Sequence, residues 1–291
     1  MKKELIFILM ILLVIAGCKR ATEIYEPEKI EYHIGTEGLV IDIVKGMPPD
    51  TVFEKTEFMV GVELKNKGAY DISNGVVVIA GLDPKYTKID KEEEFFDMPG
   101  KSPGYPEGGY EIMHFKLQNV WFPIGKEEQR IPFTIVADYD YQTEAKVEVC
   151  INPDIYSYVK TKETGCEVKD VKISKGQGAP LAITLVEPAI SLVSYNLDRL
   201  DVRFGIYIEN KGKGNVIGDI TIKEAKLGNK RIECSKVRKE KLIEDSNKWY
   251  VSCSTAMEKP GEAYISPLIL TFNYEYRTRQ NKEVTVKTIT K

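Results

Sequence analysis

One seven-residue pattern occurs twice in this chain. Val62-Glu63-Leu64-Lys65-Asn66-Lys67-Gly68 is answered 144 positions later by Ile206-Tyr207-Ile208-Glu209-Asn210-Lys211-Gly212. A second block follows in the same order. Ala137-Asp138-Tyr139-Asp140-Tyr141-Gln142-Thr143 parallels Phe272-Asn273-Tyr274-Glu275-Tyr276-Arg277-Thr278 at an offset of 135. Matching blocks in matching order imply one structural unit used twice. A chain of 291 residues accommodates two domains of ordinary size.

The N-terminus reads as a targeting segment. Lys2 and Lys3 precede an unbroken apolar run, Leu5 to Ala16. At about 1.5 Å per residue this run is too short to span a bilayer comfortably, so it suits a signal h-region. It ends in Ile15-Ala16-Gly17-Cys18. This resembles the lipobox of secreted lipoproteins, an aliphatic residue and two small residues before a cysteine. The resemblance implies cleavage before Cys18 and lipidation of its sulfur. Residues 1–17 would then be the signal peptide. Residues 18–36 would form a polar tether, extended and partly flexible, that lifts the folded part off the membrane. The expected location is the cell membrane, lipid-anchored on its extracytoplasmic side.

Cysteine parity agrees. Lipidation of Cys18 leaves Cys150, Cys166, Cys234 and Cys253 from a total of 5. Local pairing gives Cys150–Cys166 and Cys234–Cys253, one of three connectivities open to four cysteines. Each bridge closes a short loop, worth about 3 kcal/mol by the loop-entropy argument. There is no Cys-x-x-Cys spacing, and His33 and His114 are far from these cysteines in sequence, so no zinc site is expected.

The remaining pattern is all-β. Phe58, Val60, Val62 and Leu64 alternate with more polar or small positions, the period of a half-buried strand. Val202, Phe204, Ile206 and Ile208 occupy the same places in the second copy. Leu39–Val44, Val76–Ala80 and Tyr110–Leu117 read as further strands. Ile131–Tyr141 and Lys146–Val149 read as a closing hairpin about Gln142-Thr143-Glu144-Ala145. The second copy ends in the same way, with Val284 and Val286 in place of Val147 and Val149. Only Asp154–Tyr158 and Val237–Ile243 suggest short helical pieces. The fold class expected is two tandem β-sandwiches, over residues 37–150 and 179–291. Residues 151–178 form a linker stapled by Cys150–Cys166, with Gly176, Gly178 and Pro180 suited to a hinge.

The strand, Asn-x-Gly, strand element at Asn66-Lys67-Gly68 and Asn210-Lys211-Gly212 resembles the immunoglobulin-like domains of archaeal and bacterial surface proteins. It resembles in particular the cell-adhesion-related group called CARDB. That resemblance implies immunoglobulin-like sandwiches with a polar turn at one end. The longer first copy and the two disulfides depart from it.

Candidate functional residues concentrate where the copies differ. The two offsets place nine extra residues in the first copy, within Phe95–Tyr110. This stretch is rich in Gly, Pro and aromatics. Phe95, Phe96, Tyr105 and Tyr110 could form a recognition loop on a stiff scaffold, or fold back and cover the sandwich end. Trp121-Phe122-Pro123 is a second aromatic cluster, and Trp249-Tyr250 is expected to pack on the sheet or near the Cys234–Cys253 disulfide. The acidic run Lys91-Glu92-Glu93-Glu94, with Asp97, Asp138 and Asp140, lacks the spacing of a calcium loop. Asp138 and Asp140 share one strand face, as do Asn273 and Glu275. Tyr139, Tyr141, Tyr274 and Tyr276 are expected at a sandwich edge.

Catalytic chemistry finds no motif. Gly-x-Ser-x-Gly, a phosphate loop and His-Glu-x-x-His do not occur. No catalytic residue, metal or cofactor is expected. A net charge of -3, from 41 basic and 44 acidic residues mixed along the chain, gives no basic stripe for nucleic acid. The expected function is non-catalytic: a membrane-anchored adhesion or interaction module whose partner is a protein or envelope polymer. An accessory subunit of a secretion, pilus or transport complex is the second expectation, and a lipoprotein hydrolase the third.

Overall fold

The computed structural model describes residues 31–118, 127–154, 165–193, 196–239 and 247–289. The signal segment, Cys18, most of the tether and Trp121-Phe122-Pro123 lie outside the described residues. Tyr32–Lys291 forms one compact unit.

The first copy supplies β1 (Leu39–Ile43), β2 (Thr51–Phe53), β3 (Phe58–Asn66), β4 (Ile72–Ala80), β5 (Lys88–Ile89), β6 (Glu93–Met98), β7 (Tyr110–Gln118) and β8 (Glu128–Ile151). A connecting strand, β9 (Val171–Lys172), follows. The second copy supplies β10 (Leu181–Val193), β11 (Asn196–Asn210), β12 (Asn215–Leu227), β13 (Lys230–Arg231), β14 (Glu233–Cys234), β15 (Arg238–Lys239), β16 (Lys248–Glu258) and β17 (Tyr264–Lys287). No helix occurs among the described residues. Arg238–Lys239 is strand where a helical piece was expected, and Asp154 is not helical; the rest of those two segments is outside the described residues.

Among the described residues these strands form three sheets. A four-stranded sheet runs β1-β3-β7-β5, and a six-stranded sheet runs β14-β16-β11-β10-β9 with β15 also on β16. The third, of seven strands, runs β13-β12-β17-β8-β4-β6, with β2 beside β17. It belongs to both copies. Alternation along β8 and β17 puts one face of it in the core and the other in solvent. Val60, Val62 and Phe115 of the four-stranded sheet share one hydrophobic cluster with Ile135, Leu270 and Phe272 of the shared sheet and Phe204, Ile206 and Val251 of the six-stranded sheet.

The two closing hairpins are not formed. β8 runs unbroken for 24 residues and pairs antiparallel with all 24 residues of β17, from Glu128↔Lys287 to Ile151↔Tyr264. The physical reason is local. Gln142-Thr143-Glu144-Ala145 has no Gly, Pro or Asn to turn on, and Thr143 and Ala145 continue the inward alternation. Each strand's final part therefore crosses to the other copy. Val147 lies opposite Leu268, while Val284 and Val286 lie opposite Ile131 and Gln129. Beyond them, first-copy β2 pairs with Thr285–Lys287. Each copy completes the other's sheet, an exchange of equivalent strands within one chain. The pairing has a local dyad, on which the equivalent residues Asp140 and Glu275 face each other.

The connector is tied down rather than free to hinge. Gly35 N–H donates to Lys175 O at 2.7 Å, Gly178 N–H donates to Gly35 O at 2.9 Å and Ala69 N–H donates to Gly178 O at 2.7 Å. Buried Gln177 brackets Ile183, accepting its N–H at 2.8 Å and donating to its carbonyl at 3.3 Å. The last residues of the expected tether are held too, since His33 packs edge-on to Tyr70 at 5.2 Å between ring centroids.

Cys150–Cys166 and Cys234–Cys253 are both disulfides. The β8–β17 ladder, not the Cys150–Cys166 staple, sets how the copies sit. Reducing and alkylating the protein is therefore expected to leave its small-angle scattering profile unchanged. A rise in the radius of gyration would show that the staple carries the geometry.

Candidate functional site

The repeated sequence blocks meet each other in space. In the first copy, Asn66 Oδ1 accepts from Gly68 N–H at 3.1 Å and from Tyr141 O–H at 3.2 Å, and Asn66 Nδ2 donates to Tyr70 O at 2.8 Å. In the second, Asn210 Oδ1 accepts from Gly212 N–H at 3.1 Å and from Tyr276 O–H at 2.9 Å, and Asn210 Nδ2 donates to Gly214 O at 2.8 Å. Asn-x-Gly is thus a turn clasped by a tyrosine from the central strand. Only Gly fits at position 68, because a Cβ there would collide with the Tyr141 hydroxyl and press on Glu37 O.

The four tyrosines of the second block occupy the core face at the middle of the shared sheet. Their expected place was a sandwich edge; strand exchange pairs the two edges and makes them the centre. They form a ring of edge-on contacts: Tyr139–Tyr141 at 5.7 Å, Tyr141–Tyr274 at 6.2 Å, Tyr274–Tyr276 at 6.2 Å and Tyr276–Tyr139 at 5.9 Å. The hydroxyls of Tyr139 and Tyr274 lie near threonines of the opposite copy, Thr278 at 3.5 Å and Thr143 at 3.1 Å. Burial raises all four phenols well above the ordinary tyrosine value, Tyr276 to about 12. These residues form the joint of the molecule.

Behind the joint, the solvent face of the shared sheet carries a polar trough of about 640 Å³. Asp140 and Glu275 lie at its centre on the dyad, with Gln142 and Asn273 beside them. Asp71 and Asp219 stand on its flanks, and Lys223, bonded to Gln142 Oε1 at 3.4 Å, is the cation in its lining. Bulges in β4 and β12 shape the flanks. They place Asn74 and Gly218, equivalent residues 144 apart, at φ 51 and 69. Asn74 is held by Asp97, which accepts its backbone N–H at 2.9 Å, and by Asp140, which accepts its side-chain amide at 2.8 Å.

The structure divides the expected recognition loop. Phe95 and Phe96 are on β6, where Phe95 is 71% exposed and Phe96 points into the core at 6%. Phe96 is therefore a core residue, as alternation along a strand requires. Tyr105 sits in an exposed turn, and Tyr110 opens β7 on its outer face. The inserted backbone folds back over the Asn66 clasp. Gly109 O accepts from Asn66 N–H at 2.9 Å, Gly68 O accepts from Lys101 N–H at 2.8 Å, and Asn66 Nδ2 also reaches Pro99 O at 3.2 Å. Asn66 is sealed at 0% exposure, whereas Asn210 remains half-buried.

Asp138 faces solvent in an ion pair, with Arg277 Nε donating to its Oδ1 at 2.6 Å. Among the described residues no His, Cys, Asp and Glu group has the geometry to hold a metal. His114 is exposed on β7, and His33 Nδ1 lies 3.1 Å from the Tyr70 hydroxyl. Trp249 packs against the core, and Tyr250 stacks edge-on with Tyr207 at 5.2 Å. Sequence reasoning missed Asp71, Asp219, Thr221 and Lys223. The positive-φ pattern at Ser73-Asn74-Gly75 and Ile217-Gly218-Asp219 was the available signal.

No protein-family model matches the chain, and no curated protein matches it.

Proposed function

We propose that the chain is a membrane-anchored, outward-facing binding module. In this reading two immunoglobulin-like sandwiches, held off the membrane by the lipid on Cys18, present the trough to a protein or envelope polymer. The observation that supports it is the exchanged β8–β17 ladder, which fixes the trough across the joint of the two copies. A surface held by a 24-residue ladder is preorganised for contact, so little ordering entropy opposes binding. Its four carboxylates against one lysine favour a partner that presents amines, guanidinium groups or many hydroxyls.

The test is crosslinking with mass spectrometry in intact cells. Wild-type protein is expected to yield a reproducible partner through the trough. The double variant Asp140→Lys, Glu275→Lys is expected to lose that crosslink at least ten-fold while the protein stays folded. A partner recovered equally well by the variant would remove the trough from the function. Cys18→Ala is expected to move the protein out of the membrane fraction, and retention there would remove the lipid anchor.

A further inference from the structure

The two copies treat one sheet edge differently. β7 in the first copy corresponds to β16 in the second: Phe115 lies opposite Val60 as Cys253 lies opposite Phe204. In the second copy the outer edge of β16 is covered by the chain itself. Glu233 and Cys234 pair with Ser254 and Cys253, and Arg238 and Lys239 pair with Tyr250 and Trp249. Between them Ser235 takes both backbone groups of Ser252. Its N–H donates to Ser252 O at 2.8 Å, and its Oγ accepts from Ser252 N–H at 3.2 Å. The Cys234–Cys253 disulfide locks this cover in place.

In the first copy the cover begins in the same way and then stops. Asp90 takes both backbone groups of Lys116, the equivalent of Ser254. Its N–H donates to Lys116 O at 3.1 Å, and its Oδ1 accepts from Lys116 N–H at 3.1 Å. The chain then leaves for β6. The period of an antiparallel ladder turns the N–H and C=O of Ile112 and His114 to the same outer side as those of Lys116. Among the described residues, β7 pairs only with β3 and, at Leu117 and Gln118, with β5. Ile112 and His114 correspond to Tyr250 and Ser252, the residues that Arg238 and Ser235 cover in the second copy. The outer face beside this gap carries exposed Tyr110 and Ile112, with Lys65 Nζ 5.6 Å from the Tyr110 ring centroid.

We infer that the β7 edge at Ile112–His114 binds an extended segment of a partner protein by strand addition. The added strand takes the place that residues 235–239 take in the second copy. Main-chain hydrogen bonds to Ile112 and His114 supply the pairing, and apolar side chains at alternate positions of the partner pack over Tyr110 and Ile112. This edge is in a different sheet from the trough, so the inference does not depend on the trough reading.

The test selects ten-residue peptides from a phage-displayed library on the full chain. Enriched peptides are then made synthetically. Their expected signature is apolar residues at every second position. Binding is expected to protect the Ile112 and His114 amides from hydrogen exchange, amides that exchange freely without peptide, unlike the Ser252 amide. His114→Pro and Ile112→Pro each remove one outward N–H and leave the bonds to β3, a substitution an edge strand tolerates. Each is expected to weaken peptide binding at least ten-fold with folding retained. The trough variant Asp140→Lys, Glu275→Lys is expected to bind the peptides as wild type does. No enrichment, or binding that survives both proline variants, overturns the proposal. So does protection of the two amides in the isolated monomer, which would mean the chain covers its own edge. Dimerisation abolished by His114→Pro would assign the edge to a second copy instead.

Discussion

Asn66→Ala is expected to destabilise the protein by about 3–5 kcal/mol, the range for breaking a fully buried hydrogen-bond network. The side chain holds Gly68 N–H, the Tyr141 hydroxyl and the carbonyl of Tyr70 at once. Alanine leaves all three with no water to replace it, because the Pro99 and Gly109 backbone closes over the site. In a body of this size that corresponds to a melting temperature lower by roughly 10 °C. The equivalent Asn210→Ala removes the same bonds from a half-buried site that water reaches. Its cost is expected near 1–2 kcal/mol. Denaturant unfolding of both variants decides the matter. Equal losses would show that the inserted segment does not seal the first clasp.

Raising the pH is expected to unfold the protein through its tyrosines. Burial raises the phenols of Tyr70, Tyr139, Tyr141, Tyr274 and Tyr276 above the ordinary value, Tyr70 and Tyr276 to about 12. A folded-state value above the unfolded one means that the native state keeps a proton the unfolded chain releases. The stabilising contribution is therefore complete below about pH 10, the value of a free phenol, and is lost progressively as pH rises toward 12 and beyond. Unfolding followed by circular dichroism and phenolate absorbance is expected to be flat up to pH 10 and then steep. The phenolate signal of these five residues should appear together with loss of structure. Their ionisation while the fold persists would contradict the buried ring. Tyr274→Phe, which removes one such phenol, is expected to reduce the steepness.

The repeat was legible because its residues do one structural job. Asn66, Gly68 and Tyr141 touch one another, as do Asn210, Gly212 and Tyr276, and each clasp needs those residue types. The inward positions Val60, Val62 and Leu64 were equally readable from alternation, and local pairing of cysteines close in sequence pointed to the two bridges that form. Phe96 was placed in a loop, either exposed for recognition or folded back, because a Gly- and Pro-rich neighbourhood masked the strand β6 that buries it. The trough was invisible for a different reason. Asp71, Asp140, Asp219 and Glu275 come from four strands or turns far apart in sequence, and none departs from the pattern of a solvated face.

The amino-acid sequence determined the class of the fold, its duplication, the faces of its strands and the residues of its clasps. Those follow from side-chain period and from local turn chemistry, which act over a few residues. The partner of each long strand was decided only in three dimensions. Val147, Val149, Val284 and Val286 satisfy a closing hairpin and an exchanged ladder equally well, because both bury the same face. What tips the choice is that Gln142–Ala145 keeps its strand alternation and has an equivalent strand to pair with. The tyrosine ring and the trough on the dyad both follow from that pairing.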